Sequence, residues 1–236
     1  MNRIVYSLLM LIFTAPCLQA AVVVWSSETF TDASQILTTG TLVEASNLGQ
    51  GEIGANGASP TASVTLNGVV FSSVSGSQYT DATAVGTFRN VGNYTGPEIL
   101  GLTTDETEDL LDTLEFGGGA GNSTVTLSGL QPGLEYAVQV LLSRNQNPGG
   151  TIDLGHALAP GGAEVYTELD IPVGAGVGAS VATGLFTADS STQELHFSSS
   201  VASNAEINAL QLRIIPEPDS VLLLGVAASF GLRRRR

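Results

Sequence analysis

The residues that could do chemistry in this chain are few and scattered. Its two histidines, His156 and His196, stand forty residues apart, and its one cysteine, Cys17, lies near the N-terminus. Zinc needs three or four converging Cys, His or carboxylate ligands, and no His-x-x-x-His spacing is present to begin such a set. His196 alternates with Leu195 and Phe197, so it is expected on a strand, partly buried or facing solvent. No Gly-x-Ser-x-Gly motif marks a nucleophile. Hydrolysis of a glycosidic bond asks only for two carboxylates facing across a cleft, and the acids here are numerous without any pair standing out. No catalytic residue and no metal ligand is therefore assigned.

Two further segments invite a ligand reading. Thr103 to Glu115 holds Asp105, Glu106, Glu108 and Asp109 before Leu110, Leu111 and Leu114. Thr103 and Glu106 have capping-box spacing, the acids suit the positive end of a helix dipole, and the leucines share one face. A helix over 103–115 is the reading adopted. Calcium is the alternative ligand of that acidic run, but its binding loops alternate ligands on an irregular, glycine-punctuated backbone. No cofactor is expected, and no motif supports calcium. The run Gly117-Gly118-Gly119-Ala120-Gly121-Asn122 lacks the Lys-Ser/Thr that completes a phosphate-binding loop and is read as a helix stop. Trp25 is expected in the core rather than as a sugar platform.

The elements that must position these residues read as strands. Apolar and β-branched runs cover Val22 to Trp25, Leu42 to Ala45, Ser63 to Leu66, Val69 to Phe71, Ser123 to Leu127 and Glu135 to Leu142. Others cover Glu164 to Ile171, Ala179 to Thr187, Glu194 to Ser199 and Asn208 to Ile215. Asn67-Gly68 between two such runs is a two-residue hairpin turn, which needs positive φ at both positions. Alternation in Tyr136-Val138-Val140-Leu142 and in Leu210-Leu212-Ile214 offers each strand one buried face. Antiparallel sheets patterned this way close their core by stacking a second sheet.

Charge separates the chain into three regions. Over its 236 residues it carries 22 Asp and Glu against 8 Arg, no Lys, and a net charge of −14. Arg3 and Arg233 to Arg236 lie at the ends, which leaves Arg89, Arg144 and Arg213 between them. Without Glu217 and Asp219 of the tail, residues 21–215 hold 20 acids against those three arginines, a net charge near −17. No basic footprint for phosphates exists, so no nucleic-acid partner is expected. With 43% hydrophobic and 13% charged residues, the chain also lies far from disordered compositions.

The ends read as targeting segments. Arg3, an apolar run from Ile4 to Ala15 and the small-residue end Leu18-Gln19-Ala20 have the layout of a signal peptide, cleaved after Ala20 or within a residue of it. Cys17 raises a lipoprotein alternative, but Pro16 before it and Thr14 make a poor acylation motif. At the other end, Pro216-Glu217-Pro218 precedes an apolar stretch from Val221 to Leu232 and the cluster Arg233, Arg234, Arg235 and Arg236. An apolar span followed by arginines reads as a short transmembrane stop-transfer element with its charge retained on the cytoplasmic side. From Ser220 to Leu232 a helix would rise about 20 Å, less than the roughly 30 Å hydrocarbon core. Thinning and snorkelling must cover the difference.

Pro-Glu-Pro, a short apolar span and a terminal arginine cluster, in that order over Pro216 to Arg236, resemble the PEP-CTERM sorting signal, also known as the ice-binding protein C-terminal domain. The resemblance implies an exosortase that recognises Pro216, Glu217 and Pro218, with Arg233 to Arg236 as the retention cluster, in a bacterium that makes extracellular polysaccharide. A second resemblance runs through Trp25, Gly40 to Ala45, Leu66 to Phe71, Val125 to Tyr136 and Glu206 to Arg213. These stretches are similar to jelly-roll bodies of PEP-CTERM proteins and to galactose-binding-like sandwiches. Leu130 to Val138 also resembles the tyrosine corner of fibronectin type III domains, in which the Tyr136 hydroxyl would bond to nearby backbone.

The expected organisation is a signal peptide over 1–20, one domain over 21–215 and a sorting signal over 216–236. The expected fold is all-β, an antiparallel jelly-roll β-sandwich with one short helix, flanked by an N-terminal signal helix and a C-terminal transmembrane helix. Signal peptidase, exosortase, the membrane before processing and extracellular polysaccharide are the expected partners. The expected location is an inner-membrane intermediate, then the cell surface or matrix. The expected role is non-catalytic, structural or adhesive, with weak carbohydrate binding. A secreted carbohydrate-active enzyme and a purely architectural matrix protein are the alternatives.

Overall fold

The computed structural model describes residues 21–48, 63–73, 85–90, 110–111, 113–117, 122–143, 150–157, 163–173, 178–200 and 206–216. The described residues are mostly β with almost no helix. Its strands are β1 (Val24–Phe30), β2 (Thr41–Asn47), β3 (Val64–Leu66), β4 (Val69–Ser73), β5 (Val85–Asn90), β6 (Thr113–Gly117) and β7 (Asn122–Ser128). They continue as β8 (Glu135–Leu142), β9 (Gly150–Ala157), β10 (Glu164–Val173), β11 (Ala179–Thr187), β12 (Thr192–Ser199), β13 (Glu206–Ile207) and β14 (Ala209–Ile215). A seven-stranded sheet runs β1-β11-β8-β14-β2-β4-β3, a four-stranded sheet runs β10-β9-β12-β7, and β13-β6-β5 form a third.

The main core lies between the first two sheets. Trp25, Tyr136, Val138, Val140, Phe186, Leu210 and Leu212 of the larger sheet meet Val125, Leu127, Ile152, Leu154, Leu195 and Phe197 of the smaller one. Trp25 is thus a core residue, and Gly184, paired with it across β1 and β11, leaves the space its indole fills. The Tyr136 ring stacks on Phe186 at 5.5 Å, and its hydroxyl accepts the Gln131 N–H at 2.9 Å, the local bond that the tyrosine-corner resemblance implies.

The larger sheet buries its other face too. There Phe30, Ile36, Val64, Leu66, Phe71, Leu110, Leu111 and Leu141 form a second cluster. Central strands β8 and β14 are therefore covered on both sides, where the alternation pointed to one buried face each. The polar residues on their second face, Gln139, Gln211 and Arg213, are buried beneath segment 35–40. Arg213 donates to the carbonyls of Thr39 at 2.8 Å, Thr38 at 2.9 Å and Gly40 at 3.0 Å, and to Gln211 Oε1 at 3.3 Å. Gln139 donates to the Gln35 carbonyl and accepts the Leu37 N–H. Burial alone pushes the Arg213 guanidinium pKa down, and carbonyl dipoles take the place of water around it. Ahead of this strap, Asp32 and Gln35 form a capping box around a 3₁₀ turn at 33–35, with the Ser34 N–H bonded to Asp32 Oδ1 at 2.7 Å.

The Asn67-Gly68 turn has φ of 47° and 77° and joins β3 to β4, as the hairpin reading required. The helix over 103–115 needs correction. Leu110 and Leu111 are helical and buried, but 113–117 is strand β6, paired antiparallel with β5 and β13. Thr113, Leu114, Glu115 and Phe116 alternate in a period of two as well as a helix could use them, and pairing with β5 decides in favour of the strand. Residues 103–109, with most of the acidic run, lie outside the described residues, as do residues 1–20 and 217–236 with the expected signal and transmembrane helices. Among the described residues no helix is long and apolar enough to cross a membrane.

Candidate functional site

The outer face of the four-stranded sheet brings a histidine, a tyrosine and two carboxylates together. The register places Tyr166, Gly155, His196 and Thr124 directly opposite one another on β10, β9, β12 and β7. Directly opposed residues of antiparallel strands share a face. One step along, Glu164 of β10 is paired with Ala157 of β9. Glu194 of β12 precedes His196 by two residues and so shares its face.

His196 is 5% exposed and sits between the two carboxylates. Its Nδ1 lies 3.0 Å from Glu164 Oε1 and its Nε2 3.6 Å from Glu194 Oε2. Both contacts meet ion-pair distances, but neither ring nitrogen is aligned on its carboxylate for a hydrogen bond. Glu164 also accepts the Tyr166 hydroxyl at 2.6 Å, and the Tyr166 ring stands edge-on to His196 at 6.4 Å. Gly155 makes that approach possible: a Cβ there would lie 2.4 Å from the Val165 carbonyl oxygen and 2.9 Å from Tyr166 Cδ1. The Tyr166 phenol pKa is pushed up by burial first, then by its bond to Glu164 and by the charge of that carboxylate. A bulge between Thr167 and Ile171 holds this part of β10 in place. There Asp153 Oδ1 accepts the N–H groups of Leu169 and Asp170 at 2.9 and 3.0 Å.

His156 lies one residue beyond Gly155, on the opposite, inward face. It is 3% exposed, and neither ring nitrogen has a hydrogen-bond partner among the described residues. Burial pushes its pKa down, and the charge of His196 pushes the same way. The two histidines thus meet on adjacent strands but face opposite sides of the sheet. His196 lies on a strand, as expected, but is buried rather than partly buried or facing solvent.

The arrangement suits hydrogen bonding and charge pairing more than metal binding. Glu164 and Glu194 meet opposite nitrogens of one ring, so a single ion cannot take all three groups. Among the described residues no group of three or more His, Cys, Asp and Glu converges as a metal site. Glu164 and Tyr166 did not stand out in the sequence, because only pairing through β9 brings them to His196, whereas Glu194 reaches it along β12 itself.

Of the sorting residues, Pro216 is exposed and directly follows β14, which lies between β8 and β2 in the large sheet. Glu217, Pro218 and Arg233 to Arg236 lie outside the described residues, as does the cleavage residue Ala20. Residues 215–236 match a family described as the PEP-CTERM protein-sorting motif. This chain carries a PEP-CTERM motif. That motif is the recognition signal for an exosortase, and it implies an exported protein sorted at the membrane before surface or extracellular release.

No curated protein matches the chain. Among solved structures, it is similar to a calcium-binding mutant of Bacteroides uniformis beta-glucuronidase 2, at 14% identity and a TM-score of 0.44, covering 80% of this chain and 19% of that one. It is also similar to the ANXUR2 extracellular domain from Arabidopsis thaliana, at 13% identity, a TM-score of 0.36 and coverage of 75% and 49%. A third is the Arthrobacter globiformis T6 isomalto-dextranase complexed with panose, at 16% identity, a TM-score of 0.29 and coverage of 80% and 32%. The PEP-CTERM chain spans about half or less of each of these structures.

Proposed function

We propose that the body is a non-catalytic structural or adhesive module of jelly-roll sandwich type, delivered to the cell surface or extracellular matrix by exosortase processing. The supporting observation is the position of the sorting motif. It begins where β14 ends, so cleavage beside Pro216-Glu217-Pro218 would remove no core residue of the seven-stranded sheet. Weak carbohydrate contact is the finer part of this reading. Glu164 and Glu194, both partly open to solvent on either side of His196, present acceptors to sugar hydroxyls.

With a net charge near −17 over residues 21–215, such a module would repel anionic polysaccharide unless divalent cations bridge the two. The test is binding of the mature protein, released from cells, to the producer's own polysaccharide and to a glycan array, with calcium and with chelator. Saturable binding weakened by Glu164→Gln with Glu194→Gln supports the carbohydrate reading. Flat responses in every arm would leave an architectural protein.

A further inference from the structure

Exposed large apolar side chains concentrate at one end of the seven-stranded sheet. Of the seven such residues among those described, Val22, Val24, Leu42, Val43 and Leu185 lie at or beside one row, with Val22 57% and Val24 66% exposed. Val24 pairs with Leu185, Leu185 with Ala137, Ala137 with Arg213 and Arg213 with Leu42. At spacings of about 4.8 Å, that row of five strands spans roughly 19 Å. Ala137 and Arg213 at its centre are buried, Arg213 under the strap, so the apolar groups form a rim on either side of them.

Both ends of the body emerge here. Ala21 and Val22 lead into β1 at this row, and β14 finishes at Ile215, which pairs with Glu135, itself paired with Thr187 of β11. Ile215 and Thr187 stand two residues beyond Arg213 and Leu185, about 7 Å further along. From Pro216 the sequence reaches the apolar stretch at Val221 through only Glu217, Pro218, Asp219 and Ser220. Five residue steps extend at most about 17 Å.

We infer that, before exosortase cleavage, this rim rests on the lipid headgroup region of the membrane that holds the tail. The inference rests on the membrane-held intermediate of the sorting reading. A tether of at most about 17 Å keeps the end of the sheet close to the bilayer surface, so contact is nearly intramolecular and needs little affinity of its own. The end carries apolar groups, the half-buried acid Glu135, the exposed acid Asp189 just past Thr187 and a buried Arg213, with no exposed cation among its described residues. Its occupant is therefore an interface of zwitterionic lipid, not an anionic surface.

The test uses the exported, uncleaved chain with Cys17→Ser, taken from the inner membrane of a host lacking exosortase and reconstituted in phosphatidylcholine vesicles. A polarity-sensitive dye is placed on Val24→Cys or Leu185→Cys. Glu28→Cys, on the same face of β1 about 14 Å further from the rim, is the control. All three positions are partly or well exposed, so labelling should leave the fold intact. Blue-shifted emission and quenching by nitroxide lipids at 24 and 185, with neither at 28, is the expected result. Water-like emission at all three on vesicles that still float the protein would overturn the rim contact alone. Failure to float would remove the membrane-held intermediate and the contact with it.

Discussion

Gly184 is the position where one added methyl group tests how the edge strand β1 is fixed to the core. A Cβ there would lie 2.7 Å from Val23 Cγ1, 2.9 Å from Trp25 Cε3 and 3.0 Å from Trp25 Cζ3. Carbon pairs settle near 3.5 to 4.0 Å, so Gly184→Ala forces Val23 and the indole to move by about half an ångström or more. Overpacking of this kind costs roughly 1–3 kcal/mol, and reduced freedom of the unfolded chain offsets about 0.4–1 kcal/mol of it. A net loss of about 1–2 kcal/mol lowers Tm by roughly 2–8 °C in a body of this size. Trp25 is the only tryptophan, so its fluorescence during thermal melting reports both stability and the displaced ring. An unchanged or raised Tm with unaltered emission would refute the packing of β1 against β11 described above.

Two further predictions concern pH. His156 is held neutral by burial, so below pH 6.5 the unfolded chain binds a proton that the native one refuses, and stability falls as pH drops toward the lowered native value. Denaturant midpoints measured from pH 7.5 downward should show this slope, and His156→Phe should flatten it; an unchanged slope would count against the burial. Glu44, its carboxyl pushed up by burial despite the Ser46 hydroxyl, works in the opposite direction as pH approaches 4.5. Tyr166 keeps its proton in the native state where the unfolded phenol ionises, so stability should fall as pH rises above 10. Tyr166→Phe should remove that part of the alkaline loss in the same assay, and equal losses in both proteins would contradict the contact with Glu164.

Strands whose apolar residues alternate without interruption could be read from the sequence. The limits of β8 and β11 coincide with those read, and Asn67-Gly68 specified its turn. Strand β9 was missed because Gly150 and Gly155 dilute its alternation, yet Ile152, Leu154 and His156 line its inner face. Gly155 was the hidden clue to the site, since its missing side chain admits Tyr166 toward His196. Strand β6 was hidden by overlapping periods: Leu110, Leu111 and Leu114 fit a helical face, while Leu114 and Phe116 fit a strand. The burial of Gln139, Gln211 and Arg213 could not be read, because nothing local shows that residues 35–40 fold over them. The His196 cluster was only half legible: Glu194 shares a strand and a face with His196, but Glu164 and Tyr166 reach the ring only after β10, β9 and β12 have paired.

In the proposed function, exosortase removes the tail from an intact exported body. Mass spectrometry of the C-terminus of protein recovered from the cell surface or medium tests it most directly. The expected product is a chain ending near Pro216-Glu217-Pro218, without Val221 to Leu232 and without the arginine cluster. Surface protein that still carries Arg233 to Arg236 would contradict it.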